Sequence, residues 1–195
     1  AKYINSPETD FFKKGSNIFN LDIARKLSNK IENIYLVEGY MDVIGLSKNG
    51  ISNAVANLGT SLTNKQILIL NQFFNHIVIC FDGDESGYKA ALRAAENSII
   101  ELKPEKKISF LFLPDNHDPD SFTNKHGKEY FEEFSENNSV SIHKFIFNHY
   151  FNQSDRNPSS MAIFEKKLRL ISSTIKDEYI KKYILEYFLD KISEL

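Results

Sequence analysis

Short apolar segments alternate with helical patterns over residues 33–113, and this alternation is the strongest constraint on the fold. The apolar segments lie within NIYLVEG, SNAVANLG, NHIVICFDGD and KISFLFLPD. Between them, residues 63–74 and 86–102 carry apolar side chains at helical spacing. Strands that alternate with helices usually pair in parallel, because each crossover returns the chain to the same end of the sheet. The sequence therefore predicts an α/β fold with a mainly parallel central sheet flanked by helices.

Local signals mark two helix ends, and a change of pattern marks a second region. Thr63 can cap a helix, with Gln66 in capping-box spacing, and Gly50 marks the end of another helix. Near residue 139 the strand patterns end. Three amphipathic helices are predicted after that point, over about 140–151, 159–174 and 177–193. They predict a small C-terminal helical bundle.

Composition excludes several classes of protein. With 24 basic and 26 acidic side chains, the net charge of -2 gives no overall attraction to nucleic acid, so local groups must hold any such partner. A single cysteine, Cys80, excludes an internal disulfide and a zinc site built on several thiolates. No apolar run approaches the roughly 20 residues that span a bilayer. We expect a cytoplasmic protein without a membrane partner, and the abrupt start AKYINSPETD predicts a segment of a larger protein.

Six acidic residues follow the predicted strands, close to the points where the strands end. They are Glu38 after the first strand, Asp42 one turn into the next helix, Asp82 and Asp84 after the third strand, and Asp118 and Asp120 in the loop after the fourth. In an open parallel sheet, ligands bind beyond the carboxyl ends of the strands. Two like charges about 5 Å apart repel by roughly 3 kcal/mol at an effective dielectric constant near 20. A cluster of such acids therefore requires cations.

The ligand types predict which cations these are. Carboxylate oxygens, without several cysteines or a histidine cluster, select Mg²⁺, Mn²⁺ or Ca²⁺ rather than zinc. Magnesium commonly completes its coordination shell with water and substrate phosphates. The predicted chemistry is metal-assisted phosphoryl or nucleotidyl transfer.

Simpler roles remain open for most of the acids. Asp82 and Asp84 could form a turn and cap the next helix. Asp42 could be an exposed helix residue, and the acids of the predicted loop could be merely solvated. Glu38 favours a functional role, because a carboxylate that follows Tyr-Leu-Val must leave the core or find a partner.

Four stretches, VEGYMDV, AVANLGTSLT, FDGDESGYKAA and FLPDNHDPDSF, resemble the Toprim segment of bacterial DnaG-type DNA primases. The opening stretch KYINSPETDFFKKG resembles the segment that precedes Toprim in that family, and the helical remainder is similar to the bundle that ends its RNA polymerase domain. The resemblance implies three parts. Residues 1–15 would end the preceding polymerase subdomain, 16–137 would form the Toprim domain, and 138–195 the helical bundle.

The resemblance also implies roles for individual residues. The catalytic residues would be Glu38, Asp82 and Asp84. The metal ligands would be Glu38, Asp42, Asp82, Asp84, Asp118 and Asp120. The residues near the nucleotide or primer phosphates would be Lys2, Tyr3, Asn5 and Lys14. One departure is Asn116, which stands where many family members have a glycine and affects the expected pose of Asp118.

The implied activity is DNA-templated synthesis of short RNA primers, with about two Mg²⁺ or Mn²⁺ ions at the acidic edge. The implied partners are a single-stranded DNA template, ribonucleoside triphosphates and the RNA primer. Lys89 and Arg93, on one helix face, are the best local candidates for template contact, although ordinary solvated side chains would explain them more simply. In the family, zinc is bound by an upstream domain and the replicative helicase by a downstream one. Neither domain is in this sequence, so we expect it to be poor or inactive as a primase alone.

Two other functions fit parts of the pattern. A haloacid-dehalogenase-like phosphatase would use Asp82 as its nucleophile, with Ser86 where a small hydroxyl is needed, but it needs no glutamate after an earlier strand. A non-catalytic module would dock a partner through residues 140–195.

Overall fold

The computed structural model describes residues 9, 13–57, 62–82, 84–114 and 117–195, and these residues form an α/β structure. The strands are β1 (Asn33–Val37), β2 (Ala54–Ala56), β3 (His76–Phe81), β4 (Lys107–Phe112) and β5 (Val140–Ser141). The helices are α1 (Leu21–Ala24), α2 (Tyr40–Lys48), α3 (Asn64–Asn71), α4 (Glu85–Ser98), α5 (Pro119–His126), α6 (Lys128–Asn138), α7 (Ile142–Asn152), α8 (Pro158–Ser173) and α9 (Glu178–Ser193).

The five strands form one sheet in the order β2-β1-β3-β4-β5. The first four strands are parallel, which confirms the predicted α/β fold. The fifth is antiparallel to β4 and pairs Val140 with Phe110. The prediction that strands end near residue 139 is therefore wrong. A strand of two residues is too short to produce the alternating pattern from which strands are recognised.

Both faces of the sheet are covered by helices, so the central strands β1, β3 and β4 are buried on two sides. Ile34 and Leu36 of β1 point into the cluster formed with α3, α4 and α7 to α9. Tyr35 and Val37 point into the opposite cluster, which α2, α5 and α6 complete. Cys80 lies in this second cluster and is a buried core residue, as its apolar surroundings predict.

The two predicted helix ends are confirmed. The Thr63 side chain accepts a hydrogen bond from the Gln66 backbone N–H at 3.2 Å, and the Thr63 backbone N–H donates to Gln66 Oε1 at 3.0 Å. Gly50 follows α2 with a φ of 85°, a left-handed conformation that costs glycine little.

The C-terminal helices share a core with the sheet. Phe145 of α7 stacks on Phe110 of β4, with ring centroids 4.9 Å apart. Phe147 of α7 meets Phe164 of α8 and Phe188 of α9 within the same buried cluster. The helices from residue 142 onward therefore cover one face of the α/β layer, and the boundary near residue 138 stays a prediction. Within the described ranges, no helix combines the length and apolarity needed to cross a membrane.

Candidate active site

Glu38 and Asp42 are placed by the turn from β1 into α2. Glu38 directly follows the last residue of β1, and Gly39 is extended, with a φ of -120°, before α2 begins. The Gly39 backbone N–H donates to Asp42 Oδ2 at 3.1 Å. The hydrogen bond holds Asp42 against the turn that carries Glu38, so both acids lie at the carboxyl end of β1.

Asp82 and Asp84 are placed by the turn from β3 into α4. Asp82 directly follows β3, and Asp84 caps α4. Asp84 Oδ1 accepts hydrogen bonds from the Gly87 backbone N–H at 2.6 Å and from Ser86 Oγ at 2.8 Å. The capping role left open by the sequence is therefore real for Asp84. It does not exclude cation binding, because an ionised carboxylate has about four lone-pair sites.

A close approach at Gly87 makes this turn possible. A Cβ atom at Gly87 would lie 2.4 Å from the Asp82 carbonyl oxygen, which is backbone and cannot rotate away. We expect Gly87→Ala to lower the free energy of unfolding by about 1–3 kcal/mol, as overpacking does, and to impair activity by shifting Asp82 and Asp84. The measurement is urea unfolding. The control is Gly15→Ala, whose Cβ would meet Thr63 Cγ2 at an ordinary 3.5 Å. Equal stability of the two variants would contradict the prediction.

The sequence-based prediction that Asp118 and Asp120 lie in a loop is wrong. Asp118 caps α5, and its Oδ1 accepts from the Ser121 backbone N–H at 2.7 Å, while Asp120 lies in the first turn of the helix. A cap residue followed by Pro119 at the first helical position is a typical helix start. This signal was present in the sequence and was missed.

The carboxyl of Glu38 is strongly affected by its surroundings. Desolvation by neighbouring atoms, followed by repulsion from Asp82, Asp42 and Asp84, raises the pKa of Glu38 to about 7. Desolvation, followed by repulsion from Asp118 and then Asp84, also raises the pKa of Asp82. The acids of β1 and β3 therefore share one electrostatic environment.

Asp42 connects this pair of strands to α5. Desolvation raises the pKa of Asp42 to about 6, despite the hydrogen bond from Gly39, and repulsion from Asp118, Asp82 and Asp120 adds to it. Asp84 differs, because the Gly87 backbone N–H and the Ser86 side chain lower its pKa. The repulsion that acts on Glu38, Asp42 and Asp82 thus involves all six predicted acids, which places them near one edge of the sheet.

No described cation neutralises this acidic edge. The ion pairs among the described lysine and arginine side chains involve other acids. In the same part of the chain, no three acids or histidines are gathered closely enough to hold one metal ion. The donor set nevertheless fits a hard divalent cation, since it consists of carboxylate oxygens alone.

Comparison with known proteins identifies the fold that carries these acids. The Toprim domain family matches residues 32–112. The DNA primase of Escherichia coli (strain K12) is 36% identical over all 195 residues, which cover 33% of that protein. The chain is homologous to DnaG-type primases. Its Toprim fold is also found in a DNA primase domain from Pseudomonas aeruginosa, at 34% identity and a TM-score of 0.93, covering 100% of this chain and 61% of that one.

A second solved structure is described as the DnaG primase catalytic domain bound to ssDNA. It has a TM-score of 0.89 and 36% identity, and the match covers 97% of this chain and 61% of that chain. Against the curated DNA primases that it matches, the chain spans between 25% and 33% of their length.

The other residues of this chain that were predicted to contact phosphates or template fall into two groups. Lys2, Tyr3 and Asn5, and the side chain of Lys14, lie outside the described residues, so their roles stay predictions. Lys89 pairs with Glu85 at 2.6 Å, whereas Arg93 lines a cavity of about 220 Å³ together with Glu38. Arg93 is thus the template candidate that shares a cavity with Glu38.

The raised pKa values predict how stability depends on pH. Glu38 and Asp42 have ordinary values of 4.5 and 3.8 in the unfolded chain and values of about 7 and 6 in the folded protein. The folded state therefore binds more protons over this window, and stability falls as the pH rises. Without metal, we expect the unfolding temperature to decrease between about pH 4 and 7, and less steeply in Glu38→Gln. If the unfolding temperature of Glu38→Gln fell with pH as steeply as that of the natural protein, the raised pKa of Glu38 would be contradicted.

Proposed function

We propose that the chain is the catalytic segment of a DNA primase, which joins ribonucleotides on a single-stranded DNA template to make RNA primers for replication. The observation that carries the proposal is the acidic edge, where the pKa values of Glu38, Asp42 and Asp82 are raised and no described cation pairs with them. Homology to DnaG-type primases supports the same activity. The reaction class is nucleotidyl transfer.

Each acid has a proposed role. Glu38, Asp82 and Asp84 are the catalytic carboxylates and the principal ligands of the divalent cations. Asp42, Asp118 and Asp120 complete the acidic edge. When bound, two such ions stabilise charge on the attacking and leaving oxygens.

The chain's own residues prepare this edge for the reaction. The turns after β1 and β3 bring Glu38 and Asp82 close enough to repel each other, and desolvation disfavours the charged form of both carboxyls until cations bind. Hydrogen bonds from Gly39 and Gly87 hold Asp42 and Asp84. Pre-organised ligands of this kind lower the cost of reorganisation during the reaction. The proposed ions are two, either Mg²⁺ or Mn²⁺.

The proposed partners follow from the same function. They are the DNA template, ribonucleoside triphosphates and the RNA primer, with Lys2, Tyr3, Asn5 and Lys14 near the phosphates. A solved relative is described as bound to ssDNA, which supports the template. The replicative helicase would bind through a downstream domain and zinc through an upstream one, in the cytoplasm. We keep the division into residues 1–15, 16–137 and 138–195 as part of the proposal.

The two other functions have less support. A phosphatase that uses Asp82 as its nucleophile does not explain the other acids of the acidic edge. It also leaves Glu38 without a role. A docking module built on the C-terminal helices does not explain why six acids share one edge. Trapping of a phosphoryl group on Asp82 would favour the phosphatase.

A chimera tests the proposal directly. The matching segment of the Escherichia coli primase is replaced by this chain, and RNA primer synthesis is measured on a single-stranded template with Mg²⁺ or Mn²⁺. We expect metal-dependent synthesis that Asp84→Asn reduces severely. The matched control is Asp155→Asn, an exposed residue between α7 and α8. A folded chimera that makes no primers, or one in which Asp84→Asn is as active as the control, would overturn the proposal.

A further inference from the structure

Two asparagines, one directly after α2 and one within α5, form a chain of hydrogen bonds that ends on Asp120. Asn124, one turn later in α5, donates from Nδ2 to Asp120 Oδ1 at 2.7 Å. Asn49, directly after α2, donates from Nδ2 to Asn124 Oδ1 at 3.0 Å. Asn49 Nδ2 also donates to the Gly45 carbonyl oxygen at 2.9 Å, which ties it to the end of its own helix.

We call the hydrogen bonds from Asn49 to Asn124 and from Asn124 to Asp120 the relay. The chemistry of these three side chains sets the direction of its hydrogen bonds. An ionised carboxylate only accepts hydrogen bonds, so the amide nitrogen of Asn124 must face Asp120. The oxygen of Asn124 then faces away, and it needs a donor, which Asn49 supplies. Each amide therefore has one favourable orientation. Within the described residues, Asp120 Oδ2 accepts no hydrogen bond, so it is the oxygen left for another ligand.

Close packing at Gly45 fixes the distance between the two helices. A Cβ atom at Gly45 would lie 2.1 Å from Asp120 Oδ1 and 2.6 Å from Asp120 Cβ. Asp120 therefore lies directly against α2, in space that is open only because residue 45 is a glycine. Because α2 also carries Asp42 and follows Glu38, the contact relates Asp120 to the acids at the end of β1.

We propose that Asn124 and Asn49 are positioning residues, which orient the Asp120 carboxylate for cation binding at the acidic edge. The inference rests on the proposed function. Partners that orient a metal ligand commonly change metal affinity by about 10- to 100-fold when they are removed. The relay is partly exposed, so its contribution to folding is small compared with its effect on the direction of the carboxylate.

The test is Mn²⁺ affinity, measured on the folded protein by electron paramagnetic resonance of free Mn²⁺. We expect Asn124→Leu to weaken binding about tenfold, with Asn49→Leu changing it in the same direction. Asn124→Gln keeps an amide that can reach across one helical turn and should restore most of the affinity. The control is Asn148→Leu, an exposed position on α7. Equal affinities for Asn124→Leu and the control would overturn the inference.

A double-mutant cycle separates orientation of Asp120 from a general structural effect. If Asn124 acts through Asp120, Asn124→Leu should have little effect in the Asp120→Asn background. A full loss in that background would overturn the relay.

Glu38→Gln distinguishes failure of the relay from failure of the proposed metal site. If Glu38→Gln weakens Mn²⁺ binding and Asn124→Leu does not, the relay alone fails. If the natural protein binds no Mn²⁺, the relay and the proposed metal site fail together.

Discussion

Replacing Glu38 by glutamine is expected to reduce primer synthesis on the order of 10³-fold, while the metal-free protein becomes more stable. The activity falls because the amide is a poor ligand for a hard cation. The stability rises because Glu38 is desolvated and repelled by Asp82, Asp42 and Asp84 in the folded state, which raises its pKa to about 7. The amide removes that repulsion above this pH.

The two effects are measured separately. Primer synthesis is followed in the chimeric primase, and thermal unfolding is followed on the protein with a chelator at about pH 8, where Glu38 is largely ionised. The control is Glu133→Gln, an exposed acid on α6. A Glu38→Gln variant that retains about a tenth of the activity, or that unfolds at a lower temperature than the natural protein, would contradict the proposed role.

Replacing Phe145 by alanine is expected to lower the free energy of unfolding by about 3–5 kcal/mol, the usual cost of removing a buried phenylalanine. Phe145 is 4% exposed and stacks on Phe110, with Phe112 and Tyr88 at centroid distances of 5.6 and 5.4 Å. The variant opens a cavity between α7, α4 and the sheet. Because Asp84 caps α4, the loss should also reduce activity.

Chemical unfolding followed by circular dichroism measures this loss. The control is Tyr179→Ala on α9, where the side chain is 74% exposed and a change within about 0.5 kcal/mol is expected.

We also expect one cooperative transition for the natural protein, since the C-terminal helices and the sheet share a core. Two separate transitions, with only the second shifted by Phe145→Ala, would show that the helical region folds independently.

Features that depend on local sequence could be predicted. The four parallel strands are long enough to show their patterns, and the Thr63 cap and the Gly50 stop are short-range signals. The position of Glu38 and Asp82 at one edge follows from parallel pairing, since parallel strands end on the same side. Fold and acidic edge were therefore accessible from the sequence.

Features that depend on contacts between distant residues could not be predicted. The strand β5 is defined by the pairing of Val140 with Phe110 of β4, and its two residues form no recognisable pattern of their own. The contact between Asn49 and Asn124 joins positions 75 residues apart. Gly45 has no sequence signal that distinguishes close packing against Asp120 from ordinary tolerance of glycine in a helix. The start of α5 at Pro119 was the exception, since its signal is local.

The most direct test of the acidic edge is a crystal soaked in Mn²⁺ and measured at a wavelength where manganese scatters anomalously. We expect anomalous density between Glu38 and the Asp82 and Asp84 pair, and loss of that density in Glu38→Gln. Crystals that bind Mn²⁺ only elsewhere, with these three carboxylates free of metal at saturating concentration, would contradict it.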